Sequence, residues 1–103
     1  MNLECFSNPK FKRKMELLSY THLPLILLIL NEKGELIFNK LLDYIVYDLR
    51  LRISPASIRK TLLVAERLGL ISRDADSKVY WLTDLGKKEA KWIKKLVEFL
   101  SKI

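Results

Sequence analysis

The apolar positions of this chain change their period several times, and each change marks an element. After Asn8 and Pro9, "KFKRKMELL" sets Phe11, Met15 and Leu18 on one side at helical spacing. Lys10, Lys12, Arg13 and Lys14 fall on the other side. Thr21 can cap a second helix through "LPLILLIL", Leu23 to Leu30, with Pro24 tolerated in the first turn, whose amides lack intrahelical acceptors. Eight residues are less than half a membrane span, so this run predicts a helix buried on most sides, stopping at Gly34. "ELIF" is a short strand, and Asn39 then caps "KLLDYIVYDLRL" with Leu42, Ile45, Val46 and Leu49 as its stripe. After a brief "RIS" turn, Ser54 as N-cap and Pro55 open a helix closed by Gly69. Its Ile58, Leu62, Ala65 and Leu68 make one continuous face. "LISR" and "KVYWL", separated by the turn-rich "DADS", pair as a hairpin. Thr83 or Asp84 caps a long last helix carrying Leu85, Trp92, Ile93, Leu96, Val97, Leu100 and Ile103.

At 103 residues, with 50% apolar and 30% charged residues, this is one globular domain. Nineteen Lys and Arg against twelve Asp and Glu give +7, and the excess lies in residues 1–20, 54–70 and 84–103. Such a balance suits a polyanion or an anionic membrane surface, and equally plain solubility. "PKFKRKMELL" is basic and amphipathic but too short and too poor in bulky apolar residues to hold a membrane. The single cysteine, Cys5, excludes an intramolecular disulfide and fits a reducing interior. The opening "MNLECFSNPKFKRK" lacks the apolar core of a secretory leader, so we expect a cytoplasmic, nucleoid-associated chain. His22 is the sole histidine, and Glu32, Glu35, Asp43 and Asp48 are scattered over helix surfaces and turns. With no metal-ligand spacing and no glycine-rich loop, we expect no enzyme, no metal and no cofactor.

Two helices joined by a short turn and followed by a tight hairpin make a helix-turn-helix with a wing. "SPASIRKTLLVAERLGLISRDADSKVYWLTDLGKKEA" resembles the core of winged-helix transcription regulators of the MarR-like and PadR-like type, small archaeal and archaeal-virus examples included. The marks are the Ser-Pro helix start, "LGLI" ending the second helix, and "YWLTDLGKK" leading out of the wing; the likeness spans about residues 22–91. It implies an α+β, mainly helical fold: a basic N-terminal helix (1–20), a winged-helix core (21–83) with a two-stranded wing, and a C-terminal dimerisation helix (84–103). It also implies a homodimeric regulator that binds double-stranded DNA sequence-specifically, with a recognition helix at about 55–68 in the major groove.

Carried onto this sequence, the DNA-facing positions are Ser54, Ala56, Ser57, Arg59, Lys60 and Thr61. Ser54 and the free first-turn amides suit a phosphate oxygen. Arg59 and Lys60 reach guanine acceptors or a phosphate, Ser57 and Thr61 serve any base, and Ile58 and Leu62 belong to the core. The same face is also that of an ordinary solvated helix, and the same fold serves protein–protein assembly modules and plasmid or viral replication and maintenance proteins.

In the wing, Arg73 and Lys78 flank a tip occupied by Asp74 and Asp76. Those carboxylates repel phosphates, so we expect the two cations to meet backbone phosphates without deep minor-groove insertion, or simply to neutralise the aspartates. Tyr80 and Leu82 share one face of the hairpin and Val79 and Trp81 the other, so one pair needs a cover. The apolar surplus of the second and last helices predicts a homodimer through Trp92, Ile93, Leu96 and Leu100, and hence a pseudo-palindromic site. The competing arrangement folds the first helix over the last.

Overall fold

Residues 22–102 are described by the computed structural model. The expected basic first helix, with Asn8, Pro9 and Thr21, lies outside them, as does Ile103. In chain order the elements are α1 (Leu23–Lys33), β1 (Glu35–Ile37), α2 (Phe38–Asp43), a π-helical turn (Tyr44–Asp48), α3 (Pro55–Arg67), β2 (Ile71–Arg73), β3 (Val79–Leu82) and α4 (Asp84–Ser101). The strands form one antiparallel sheet in the order β1-β3-β2. This is the winged-helix architecture, mainly helical, with the β2–β3 hairpin as the wing and α4 appended.

Local chemistry sets most boundaries. The Ser54 hydroxyl accepts from the Ser57 amide at 3.1 Å and Pro55 takes the first helical position, so α3 starts where its sequence directs. Its far end is a Schellman closure on left-handed Gly69: the Leu70 amide donates to the Ala65 carbonyl and the Gly69 amide to Glu66. Thr83 caps α4, its hydroxyl accepting from the Gly86 amide at 3.1 Å.

Two expected boundaries move. His22, without a side-chain cap bond, stands at the N-cap of α1. The helix expected over 39–51 instead runs 38–48, because Phe38 already follows β1 directly and the last turn widens. There the Leu49 amide donates back to Tyr44 and the Leu51 amide to Ile45, ending the helix early. Left-handed Arg50 then turns the chain, and the connection to α3 occupies residues 49–54. The rotation also shifts the stripe: Leu41 and Ile45 are buried, Leu42 is half-buried, and Val46 and Leu49 are exposed.

The core joins Leu23, Ile26, Leu27, Ile29 and Leu30 of α1 to Leu41, Ile45, Ile58, Leu62, Ala65, Leu70, Ile71, Leu82, Ala90 and Ile93. Every apolar residue of α1 is therefore buried or half-buried by the chain itself, against α3, α4 and β3. The surplus on that helix needs no second copy. Ile93, expected at a dimer interface, is 2% exposed and belongs to this internal core. The wing's two faces are covered in part: Leu82 is buried, Tyr80 packs on the core, and Trp81 is half-buried beside Leu30 and Gly34 at the end of α1. Strand β1 completes the sheet by setting Glu35 opposite Trp81, Leu36 opposite Tyr80 and Ile37 opposite Val79.

One junction locks α3, the wing and α4 together. The Thr83 hydroxyl donates to the Gly69 carbonyl at 2.6 Å, with the Leu70 carbonyl at 3.1 Å beside it. The Thr83 amide donates to that same Leu70 carbonyl at 3.0 Å. A Cβ on Gly86 would overlap the Leu70 carbonyl, so glycine is what lets the helix lie against this backbone. Gly86→Ala, which in an open helix would add about 0.5–1 kcal/mol of stability, should here remove about 1–3 kcal/mol, and thermal unfolding reads the sign.

Candidate nucleic-acid interface

The exposed side of α3 and the outer edge of the wing enclose a groove of about 600 Å³. Helix α3 contributes Arg59, Leu63 and Glu66, each one turn from the next, because its opposite side (Ile58, Leu62, Ala65) is fixed in the core. The wing contributes Arg73, Ser77, Lys78 and Tyr80, and the start of α2 contributes Phe38 and Asn39 beside Ile37. Three cations thus face one carboxylate, Glu66, across this opening among the described residues. The Arg59 guanidinium lies 4.6 Å from the centre of the Phe38 ring, a cation–π contact that holds it on the groove side of the helix.

The expected site residues divide. Ser54, Ala56, Arg59 and Lys60 are exposed and Ser57 is half-buried, all along the first half of α3. Ser54 and Ser57 are hydrogen-bonded to each other through their hydroxyls at 3.0 Å. Thr61 departs from the expected face: it is 8% exposed, and its hydroxyl donates to the Ser57 carbonyl at 2.9 Å. That bond satisfies the one polar group a threonine brings inward, so Thr61 joins the buried side. Arg73 and Lys78 meet Arg59 across the groove.

Four contributors escaped the sequence pattern. Phe38 and Leu63 are apolar residues in a basic groove, and Leu63 was legible only as a large apolar interruption one turn beyond Arg59. Before the start of α3, Arg50 and Arg52 line a shallow depression of about 700 Å³ with Ser54, adding two cations at the helix N-terminus. Arg50 and Lys78 are the two non-glycine residues with left-handed backbone among those described. Both are basic and both border the α3 face.

The wing tip explains its own acidity. The Asp74 carboxylate accepts from the Asp76 amide at 3.0 Å, and the Lys78 amide donates to the Asp74 carbonyl at 2.8 Å. Asp74 thus acts as the turn's internal acceptor. The Asp76 amide first, and then the Ser77 hydroxyl, hold its carboxyl below the usual aspartate range. Among the described residues no helix is long and apolar enough to cross a membrane, and no group of three or more His, Cys, Asp or Glu could hold a metal ion.

The structure matches the crystal structure of quinone-bound YodB from B. subtilis with a TM-score of 0.75, at 20% identity, over 92% of this chain and 98% of that one. At this identity the likeness establishes the shared winged-helix fold. Neither a family model nor a curated protein matches the sequence.

Because the depressed carboxyl favours the folded turn, its contribution is present above the ordinary aspartate pKa and is lost as pH falls through the lowered value. In an acid titration followed by carboxyl and amide NMR shifts, the Asp76 amide should move together with the Asp74 carboxyl, at a midpoint below the ordinary aspartate range. Asp74→Asn should remove that acid transition from the Asp76 amide.

Proposed function

We propose that this chain is a homodimeric DNA-binding transcription regulator that places α3 in the major groove and lays the wing along the adjacent backbone. The observation that carries this reading is the convergence of Arg59, Arg73 and Lys78 on one open groove beside the exposed start of α3. A helix with its side chains is about as wide as the major groove, and Arg or Lys can reach guanine there. Ser54, Ala56, Ser57 and Lys60 supply the leading edge, while Arg50 and Arg52 stand where phosphates flank a helix N-terminus.

Lys78 adds a separate argument. Its left-handed φ of 58° suits glycine, and a side chain there costs on the order of 1 kcal/mol. A lysine kept at that cost, in the groove and beside Arg73, fits selection for its charge.

Fluorescence anisotropy against a duplex enriched from a randomised library tests the reading. Arg59→Ala and Lys60→Ala should each weaken specific binding by about 1–3 kcal/mol if they read bases, without unfolding, since neither side chain is in the core. Lys78→Gly should keep or raise thermal stability and lower the salt slope of binding by about one, the signature of a lost phosphate contact. Unchanged affinity in all three variants would exclude this face.

For the homodimer, the support is the exposed apolar end of α4, where Val97, Leu100 and above all Phe99, 63% exposed, continue from half-buried Trp92 and Leu96. Ile93 has no part in it. Pairing of these turns about a two-fold axis would set two copies of α3 on a pseudo-palindromic site. In sedimentation equilibrium at tens of micromolar, the parent should be a dimer. The Phe99→Glu, Leu100→Glu variant should be a folded monomer.

A further inference from the structure

Leu63 is the one exposed large hydrophobic residue of α3, 47% exposed on a side otherwise carrying Arg59, Lys60, Glu66 and Arg67. Among the described residues the other exposed large apolar side chains lie at 46–51 and 97–100, except Ile37, which borders the same groove beside Phe38. Leu63 lines the basic groove, one turn beyond Arg59, whose guanidinium is held there by the Phe38 ring. An apolar group in a cationic groove fits a ligand that is anionic overall and apolar at one point. Duplex DNA presents that combination in its major groove, where the 5-methyl group of thymine is the apolar feature among the hydrogen-bonding edges.

We propose that Leu63 is a specificity-determining residue that packs on the methyl group of a thymine beside the guanine addressed by Arg59. This rests on the DNA-binding reading above. The spacing defines where that thymine lies. Arg59 and Leu63 are separated by about 6 Å along the helix axis, from a rise of about 1.5 Å per residue. Base pairs are stacked about 3.4 Å apart, so the two contacts fall within about two base-pair steps. The cationic wing residues Arg73 and Lys78 across the groove hold the backbone of the same segment, which keeps the leucine against the bases.

The test uses the full-length chain and the duplex it enriches from a randomised library. Each thymine is replaced in turn by uracil, which removes the methyl group and leaves every hydrogen-bonding atom in place. The parent should lose about fourfold in affinity at one thymine of each half-site, the equivalent of one buried methyl-sized group at about 0.8 kcal/mol. That thymine should lie within two base pairs of the guanine whose replacement no longer matters in Arg59→Ala. Leu63→Ala, checked for folding by circular dichroism, should bind the thymine and uracil duplexes equally, whereas Leu63→Met should still discriminate. If the parent binds the enriched duplex yet is indifferent to uracil at every thymine, or if Leu63→Ala discriminates as well as the parent, the proposal is overturned while DNA binding stands. A chain that enriches no duplex at all removes the DNA-binding reading and this assignment with it.

Discussion

The carbonyl group of Leu70 is where α3, the wing and the last helix meet. It follows the glycine that ends α3, directly precedes β2, accepts from the Thr83 amide, and lies against Gly86 of α4. Each partner arrives with a local reason of its own: the Schellman closure at Gly69, the N-cap at Thr83, and the missing Cβ at Gly86. Three independent elements are therefore registered on one backbone group. The consequence for the candidate interface is positional, since the wing leaves this point through β2 and returns to it through β3, a short distance from the end of α3.

What could be read in the sequence was mostly what is decided locally. Ser54–Pro55, Gly69 and Thr83 bound their helices as their chemistry requires, and "ELIF" and the "DADS" hairpin form where turn residues and β-branched runs place them. The errors came from interactions that are not local. Counting apolar residues on α1 and α4 shows how much surface must be covered and does not show what covers it; the chain's own packing takes Ile93 and buries or half-buries every apolar residue of α1. The early end of the helix after β1 follows from bonds that skip five and six residues, which no period of 3.6 announces. Thr61 was hidden by its type: a hydroxyl bonded four residues back behaves as a buried small apolar group. Glu89 runs against pattern altogether, 8% exposed with its Oε2 lacking a hydrogen-bond partner among the described residues. We have no physical account of that carboxylate.

The candidate interface was half legible. The cations at 59, 60, 73 and 78 follow from helix phase and hairpin position. The convergence of Arg59, Arg73 and Lys78 depends on the sheet, because Arg73 and Tyr80 stand opposite each other across the β2–β3 pair and both border the groove. Phe38 enters by a different route. It directly follows β1 and starts α2, so its ring beside Arg59 is a product of topology and not of any motif. The fold recurs in YodB at 20% identity, a level at which a shared fold says nothing of shared surface chemistry. Function therefore has to be argued from this chain's own charged and apolar groups.

The third strand has a kinetic meaning. β1 pairs along β3 and runs without a linking residue into α2, so the wing is tied at its inner edge to the helix-turn-helix as well as to α4. A wing hinged only at its two ends could swing, and a ligand would then have to wait for the groove to form. Here the opening between α3 and the hairpin exists before anything enters it, and little ordering remains to be done on contact. Encounter with a polyanion would then proceed at a rate governed by diffusion and by the +7 charge, falling as salt is added. Discrimination between one partner and another would be left to how long each stays.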